Sequence, residues 1–328
     1  MHPLRGIVIP AAQFDRARAH EDIQLLAELG AKQVRIGLDW AWVQPTAGAA
    51  DGDAIEFYLG LLQTASGCGL PIAFTLLERA VPKWFENEGG FTDQKWALHW
   101  WPRWVELCAD AFGDSIQGWT PIDHPLGVAN GLVRDDPRRH GEVLETLLLA
   151  WRDSWRILRG GPAVSTNFGL EIVRPTDQTI PAEHAAKRLD QIRWRLWLQA
   201  LRDGVISIPG RADREVADLA GACDVVGLSV RHDRDTLALL HRAAEQAPDR
   251  PLTATFLLPV GADVDREPAV QRFLQQAHEA ASGMPLQRIE LNPAFDTADS
   301  ANGSNNRGLI SRDRELKDSA RVYFEREQ

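Results

Sequence analysis

Gly118-Trp119-Thr120-Pro121-Ile122-Asp123-His124-Pro125 reads as the end of a buried strand, Ser115 to Ile122, that stops in an acid, an imidazole and a proline. An apolar strand that terminates in ionisable groups needs a reason, because burying such groups costs free energy unless they are paired or used. Alone, the stretch also allows a plainer account, in which Asp123 caps a turn and His124 is a satisfied loop histidine. The segments on either side decide between the two.

Upstream, Pro71 to Leu77 is nearly all apolar and runs into Glu78-Arg79. Continuous apolar strands of this kind belong to parallel sheets covered on both faces. Gln33 to Trp40 alternates apolar and polar residues, with Arg35, Gly37 and Asp39 on one side by the two-residue period. Gly6 to Ala12 is a short apolar run with Gln13 and Asp15 at its exit. Helical spacing connects these strands: His20 to Gly30, with Gly30 as a C-cap, Asp51 to Gly69, and a tryptophan-rich Trp96 to Phe112 after a Trp84 to Asp93 loop.

Downstream the same pattern predicts helices over Glu142 to Leu158, Ala182 to Arg202, Asp235 to Gln246, Pro268 to Ala281 and Arg314 to Gln328. The intervening strands are Ala163 to Leu170, Cys223 to Val230, Leu252 to Leu258 and Leu286 to Asn292. Eight strands in strict alternation with eight helices predict an α/β fold, a single (β/α)8 TIM barrel occupying residues 1–328 as one domain. A doubly wound open sheet is the competing arrangement, but no Gly-x-Gly-x-x-Gly follows the first strand and there is no phosphate loop. No nucleotide or other cofactor is expected.

A barrel of this type works at the C-terminal ends of its strands. Those ends carry Gln13, Arg35 and Asp39, Glu78 and Arg79, Asp123 and His124, Asn167, Ser229 with Arg231, Phe256, and Glu290 with Asn292. Any one of them could be a loop residue in water, but polar exits on nearly every strand predict a polar pocket.

Composition narrows the partners. The chain has 328 residues, 44% hydrophobic and 25% charged, with 46 acidic against 36 basic side chains and a net charge of −10. That balance, without a basic run interleaved with aromatics, argues against nucleic acid or an anionic membrane surface. No apolar run approaches the roughly 20 residues needed to span a bilayer. Met1-His2-Pro3-Leu4-Arg5 lacks a secretory apolar segment, so a cytoplasmic location is expected. Cys68, Cys108 and Cys223 lie far apart and at no metal-ligand spacing, which predicts reduced, buried thiols and no metal site.

Four stretches carry a family likeness: His20-Glu21-Asp22-Ile23 with Leu29-Gly30, Arg35-Ile36-Gly37-Leu38-Asp39-Trp40, Val81-Pro82-Lys83-Trp84 with Gly89-Gly90-Phe91-Thr92-Asp93, and Gly308-Leu309-Ile310 before Lys317-Asp318-Ser319-Ala320 and Tyr323. They match Tyr-x-Glu-Asp-Ile, Arg-Phe-Ser-Ile-x-Trp, Trp-x-x-x-Gly-Gly-Trp and Lys-Pro-Ser-Ala segments, so the chain resembles glycoside hydrolase family 1, the β-glucosidase family, over nearly its whole length. The resemblance implies a barrel and a sugar pocket, with Gln13 at the position of a glutamine that holds sugar hydroxyls and Asn167 and Trp40 at pocket positions.

The same resemblance implies that the family's chemistry is changed. Asp123-His124-Pro125 stands where the family has Asn-Glu-Pro with its acid/base glutamate, and Phe256 where the family's nucleophilic glutamate lies. Glu78 replaces a sugar-binding histidine, and Val230 and Arg231 replace a tyrosine pair. All 12 tryptophans fall between Trp40 and Trp197, so those the family carries near its C-terminus are missing. A retaining glycosidase needs two carboxyl groups roughly 5 to 5.5 Å apart, and neither is at its usual strand.

Three functions remain open at this level. The first is an enzyme of non-standard acid/base chemistry, with His124, Asp123 and Glu78 catalytic and Arg79, Arg35 or Arg231 holding an anionic group. Elimination, isomerisation, cyclisation or one-step hydrolysis would suit an acid and base without a nucleophile. A small polar, sugar-like or natural-product substrate fits this, and a biosynthetic tailoring step is one setting for it. Here Glu78 beside His124 is expected to raise the imidazole's titration. The second is an inverting β-glycosidase with Glu78 or Glu290 as base and His124 as acid. The third is a catalytically inactive protein that binds a small molecule. The oligomeric state is not legible in the sequence.

Overall fold

The computed structural model describes residues 2–134, 136, 139–231, 236–259, 263–296 and 307–325. Its centre is built from strands whose residues are buried almost throughout: β1 (Leu4–Ile9), β2 (Gln33–Gly37), β3 (Ile72–Leu77), β4 (Gly118–Ile122), β5 (Ala163–Val164), β6 (Phe168–Leu170), β9 (Val226–Arg231), β10 (Leu252–Leu257) and β11 (Leu286–Asn292). They form one sheet in the order β5-β4-β3-β2-β1-β11-β10-β9-β6, parallel at every joint. Two short strands, β7 (Val205–Ile206) and β8 (Arg214–Glu215), make a separate antiparallel pair.

The sheet curls so that its two ends meet in sequence. β5 pairs with β4, β6 pairs with β9, and only residues 165–167 separate β5 from β6. Across that gap single bridges continue on both sides, Ser165 to Val225 and Asp123 to Asn167. Gly227 permits the seam: a Cβ there would lie 1.9 Å from the Thr166 carbonyl oxygen.

Helices cover the outside: α1 (Ala19–Glu28), α2 (Trp40–Val43), α3 (Gly52–Gly67), α4 (Lys83–Asn87), α5 (Gln94–Phe112), α6 (Pro125–Leu132), α7 (His140–Leu158), α8 (Ile180–Asp190), α9 (Leu196–Asp203), α10 (Thr236–Gln246), α11 (Asp263–Gly283) and α12 (Asp318–Phe324). The strict alternation expected from the sequence is therefore decorated. Trp84 to Asp93, expected as loop, contains α4 and a 3-10 turn at Gly90–Thr92, and α6 follows β4 directly. The Ala182 to Arg202 helix runs longer and is interrupted by a π-helical turn at Gln191–Arg195. The C-terminal helix is shorter than expected. Asp235 and residues 326–328, which fall in two expected helices, lie outside the described residues.

Tryptophans seal the outer layer, several with their ring N–H groups satisfied. On α5, Trp101 donates to Ser154 Oγ of α7 at 2.8 Å and Trp104 donates to the Leu76 carbonyl at 3.2 Å. At the N-terminal end of the sheet the chain termini are tied together, where the Tyr323 hydroxyl of α12 donates to the Gly6 carbonyl at 2.6 Å. Arg314 clamps Asp22 of α1 with two bonds of 2.6 and 2.7 Å. Cys108 and Cys223 are buried as expected, whereas Cys68, the residue after α3, is exposed. No helix among the described residues is long and apolar enough to cross a membrane.

Candidate active site

The inner face of the sheet is polar in layers. Parallel register sets Ser229, Thr255 and Glu290 side by side on β9, β10 and β11, and Arg231, Leu257 and Asn292 two residues further on. Successive strand residues point to opposite faces, so Phe256, between Thr255 and Leu257, points outward. Its ring stacks on Phe273 of α11 at 4.6 Å and 10°. This corrects the expected placement of Phe256 in the pocket: the inward position at the end of β10 is Leu257.

Below the mouth lies a closed ion pair. Arg35 Nε donates to Glu290 Oε2 at 3.0 Å, its terminal nitrogens reach Thr75 and Thr255 hydroxyls, and Thr255 also donates to Glu290 at 3.0 Å. Arg35 and Glu290 are 4% and 3% exposed. Burial alone would raise the Glu290 pKa, but the charges of Arg35 and Arg288 and the bonds from Arg35 and Thr255 hold it below its ordinary value. The expectation that Arg35 and Glu290 contact substrate is therefore corrected: each has the other as its partner, and neither lines the mouth.

Asp123 is the next rung up. Its Oδ1 accepts a short hydrogen bond from Asn167 Nδ2 and lies 3.9 Å from Arg35 Nη1 and 4.0 Å from His124 Nε2. The Asn167 carbonyl oxygen of the amide accepts from Ser229 Oγ at 2.9 Å. Asn167 is 2% exposed, so it orients Asp123 rather than lining the mouth as expected.

His124 adopts φ 47° and ψ 60°, the left-handed region that a residue with a Cβ rarely occupies. The turn is held by its N–H donating to the Asn167 backbone oxygen at 2.8 Å, and by its own carbonyl accepting from Val128 at 3.1 Å as α6 begins with Pro125. It swings the imidazole over Gly169, where a Cβ would sit 3.5 Å from Nδ1. The side chain remains 27% exposed. Its pKa is lowered, chiefly by burial and further by the charges of Arg35, Arg231 and Arg79, against the opposing pull of Asp123.

Glu78 leaves the end of β3 and folds across β2. Its Oε2 accepts from the Ala11 N–H at 3.0 Å, above Gly37, where a Cβ would lie 2.5 Å from both Ala11 N and Glu78 Oε1. Burial first, and the Asp123 charge second, raise its pKa from 4.5 to about 7, against the Ala11 bond, Arg35 and Arg79. Among the described residues Glu78 is not hydrogen-bonded to His124, and the histidine titrates lower rather than higher, which reverses the sequence expectation for that pair.

These groups open into a cavity of about 610 Å³ lined by Gln13, Asp39, Trp40, Glu78, Arg79, Asp123, His124, Arg231 and Asn292, all expected from the sequence. Trp40 presents only an edge: it is 1% exposed, stacks on Trp104 at 5.3 Å and donates to Gln44. Asp39 is held at the rim by Arg16 at 2.6 Å while capping α2 through the Trp42 N–H. Gln13 Oε1 is buried without a hydrogen-bond partner. The cavity also takes in Asn130, Arg193 and Arg307, which the sequence reading missed. Arg193 sits within an amphipathic helical run, in the π-helical turn where the regular helical period is interrupted. Among the described residues no group of three or more His, Cys, Asp or Glu side chains is placed to hold a metal ion.

With this geometry in place, similarity to known proteins can be weighed. Residues 11–132 match the glycosyl hydrolase family 1 profile. Beta-glucosidase 29 of Arabidopsis thaliana is 29% identical over 116 residues, 34% of this chain and 20% of that protein. The galactolipid galactosyltransferase SFR2 of the same plant is 24% identical over 111 residues, 32% of this chain and 18% of its own length. The matched segments thus span about a fifth of those relatives. A beta-glucosidase from Thermotoga maritima, solved in complex with deoxynojirimycin, superposes with a TM-score of 0.84 over 98% of this chain and 96% of the other, at 17% identity.

The fold is that of the family 1 TIM barrels. The family profile runs from the turn after β1 to α6, and a beta-glucosidase of Thermotoga maritima aligns at 25% identity over 143 residues, 43% of this chain. The likeness in fold runs over 98% of the chain.

Proposed function

We propose that the chain is a single eight-stranded (β/α)8 barrel, with β5 and β6 as one broken strand, that acts on a small polar, sugar-like substrate by general acid/base chemistry without a carboxylate nucleophile. The observation that carries this reading is that Glu78 and the Asp123-His124 turn line one cavity. Glu78 is raised to about 7 while His124 is lowered. Toward neutral pH a substantial fraction of the sites therefore holds a protonated carboxyl beside an uncharged imidazole, an acid and a base that need no prior proton exchange with solvent. Asp123, oriented by Asn167, lies 4.0 Å from His124 Nε2 and favours the imidazolium that forms once the base has taken a proton.

A double-displacement mechanism needs a carboxylate at the end of β10 as well as an acid on β4. In this reading both family glutamates are replaced: the inward residue of β10 is the apolar Leu257, and β4 ends in Asp123-His124. Glu290, one layer deeper, is neutralised by Arg35. Elimination, isomerisation, cyclisation or single-step hydrolysis fits this set. Likeness to the family does not itself imply hydrolysis, since one matched relative is named as a galactosyltransferase.

The test is incubation with a 2-deoxy-2-fluoro glycoside inactivator, followed by intact-protein mass spectrometry and a parallel screen of chromogenic glycosides. No covalent glycosyl adduct is expected. A stoichiometric adduct would overturn the reading.

A further inference from the structure

Among the described residues the cavity's charges do not balance. Its described lining includes Arg79, Arg193, Arg231 and Arg307 against Asp39, Glu78 and Asp123. Asp39 is taken by Arg16, Asp123 lies beside Arg35, and Glu78, raised to about 7, carries only part of a charge near neutral pH. Arg193 has its own counter-ion, Glu171. Among the described residues Arg79, Arg231 and Arg307 have no carboxylate partner, and Arg307 Nε is buried without any hydrogen bond. Three guanidinium groups in one cavity without a carboxylate partner among the described residues stand out in a chain of net charge −10. Cations that share one cavity repel one another, weakly where they reach water, and an anion that enters gains from each of them.

Their positions follow from the fold. Arg231 ends β9 in the inward layer with Leu257 and Asn292, and Arg79 follows Glu78 at the end of β3. Arg79 and Arg231 are both close enough to His124 to depress its titration. An anionic group bound between them would therefore sit beside the acid/base groups. Resting on the acid/base reading above, we propose that the substrate is a sugar-like molecule bearing an oxyanion, a carboxylate or a phosphate, held by Arg79, Arg231 and Arg307. Arginine suits this because its planar fork matches both groups in two-point hydrogen bonding. Arg35, a sequence candidate for the same role, is excluded by its bond to Glu290.

The experiment measures binding by calorimetry with glucose, glucuronate and glucose 6-phosphate, for the wild-type chain, Arg79→Ala, Arg231→Ala and the double variant. Both positions are exposed, so these variants should fold, which circular dichroism checks. At least one anionic sugar should bind about 10-fold or more tighter than glucose and lose most of that advantage in the double variant, the scale of one charge-assisted contact. The carboxylate and phosphate arms identify which oxyanion is preferred. Equal binding of all three sugars, no binding of either anion at millimolar concentration, or equal weakening of neutral and anionic sugars by the substitutions would each overturn the proposal. Because this readout is binding, it fails independently of the acid/base reading, which is tested by turnover in Glu78 and His124 variants.

Discussion

At the scale of single residues, His124 and Glu78 are tested by substitutions that spare the backbone. Asn tolerates the left-handed conformation at position 124, so His124→Asn removes the base without straining the turn. Glu78→Gln keeps the acceptor for Ala11. On a substrate found by screening, each should lower turnover by roughly 100-fold or more, the usual scale for a general acid or base. The wild-type rate should fall on the alkaline side through about pH 7 as Glu78 ionises, and on the acid side below the ordinary histidine value as His124 protonates. Near wild-type turnover in both variants would refute their roles. Gly37→Ala is a third residue-scale test. Its methyl would meet Glu78 Oε1 and Ala11 N at 2.5 Å, so the carboxyl must leave its seat. Turnover should fall about as far as in Glu78→Gln, read by the same assay.

At the scale of elements, the seam between β4, the broken β5–β6 segment and β9 is where the candidate site is assembled. Asn167 and Thr166 lie in the break, and Gly227 of β9 makes room for them. Gly227→Ala would drive a methyl to 1.9 Å from the Thr166 carbonyl, and the backbone there must move. A loss of about 2–4 kcal/mol in denaturant unfolding is expected, at the upper end for a single substitution. A wild-type midpoint would show that the seam is looser than drawn. The Arg35–Glu290 pair spans β2 and β11. Replacing Arg35 by Met leaves a buried carboxylate without its cation, which costs about 3–5 kcal/mol, whereas Arg35→Met with Glu290→Leu should recover much of that loss.

For the whole molecule, the pH dependence of stability follows from the site. The folded chain holds the Glu78 proton more tightly than the unfolded chain does, because its pKa rises from 4.5 to about 7. That contribution is fully present below pH 4.5 and is lost as pH rises through 7. His124 acts in the opposite sense: its pKa is lowered, so its contribution is present above 6.5 and is lost as the solution is acidified through the folded value. Glu78→Gln should therefore gain stability relative to wild type between pH 5 and 8, by about 1–3 kcal/mol. Thermal melts across that range measure it, and a constant difference would mean that Glu78 is not perturbed. A barrel that loses stability as Glu78 ionises through about pH 7, and again as His124 protonates on acidification, is consistent with a working site.

The alternation of apolar strands and amphipathic helices was legible in the sequence because hydrophobic periodicity is a local property, and it places seven of the eight expected strands within a few residues of where they form. Asp123, His124, Glu78 and Arg79 were legible for a related reason: they are ionisable residues directly after buried strands, and the strand's own end carries them to one face. Which side chain faces inward was decided by register between strands, a non-local property. A one-residue difference turns Phe256 out against Phe273 and Leu257 in toward the cavity. The pairing of Arg35 with Glu290 joins residues 255 positions apart, and no local pattern encodes which cation meets which anion. Arg193 lines the cavity from a π-helical turn, which breaks the helical period, and the opposite pKa shifts of Glu78 and His124 come chiefly from burial in the folded chain. Tertiary packing, through desolvation and register, decided those.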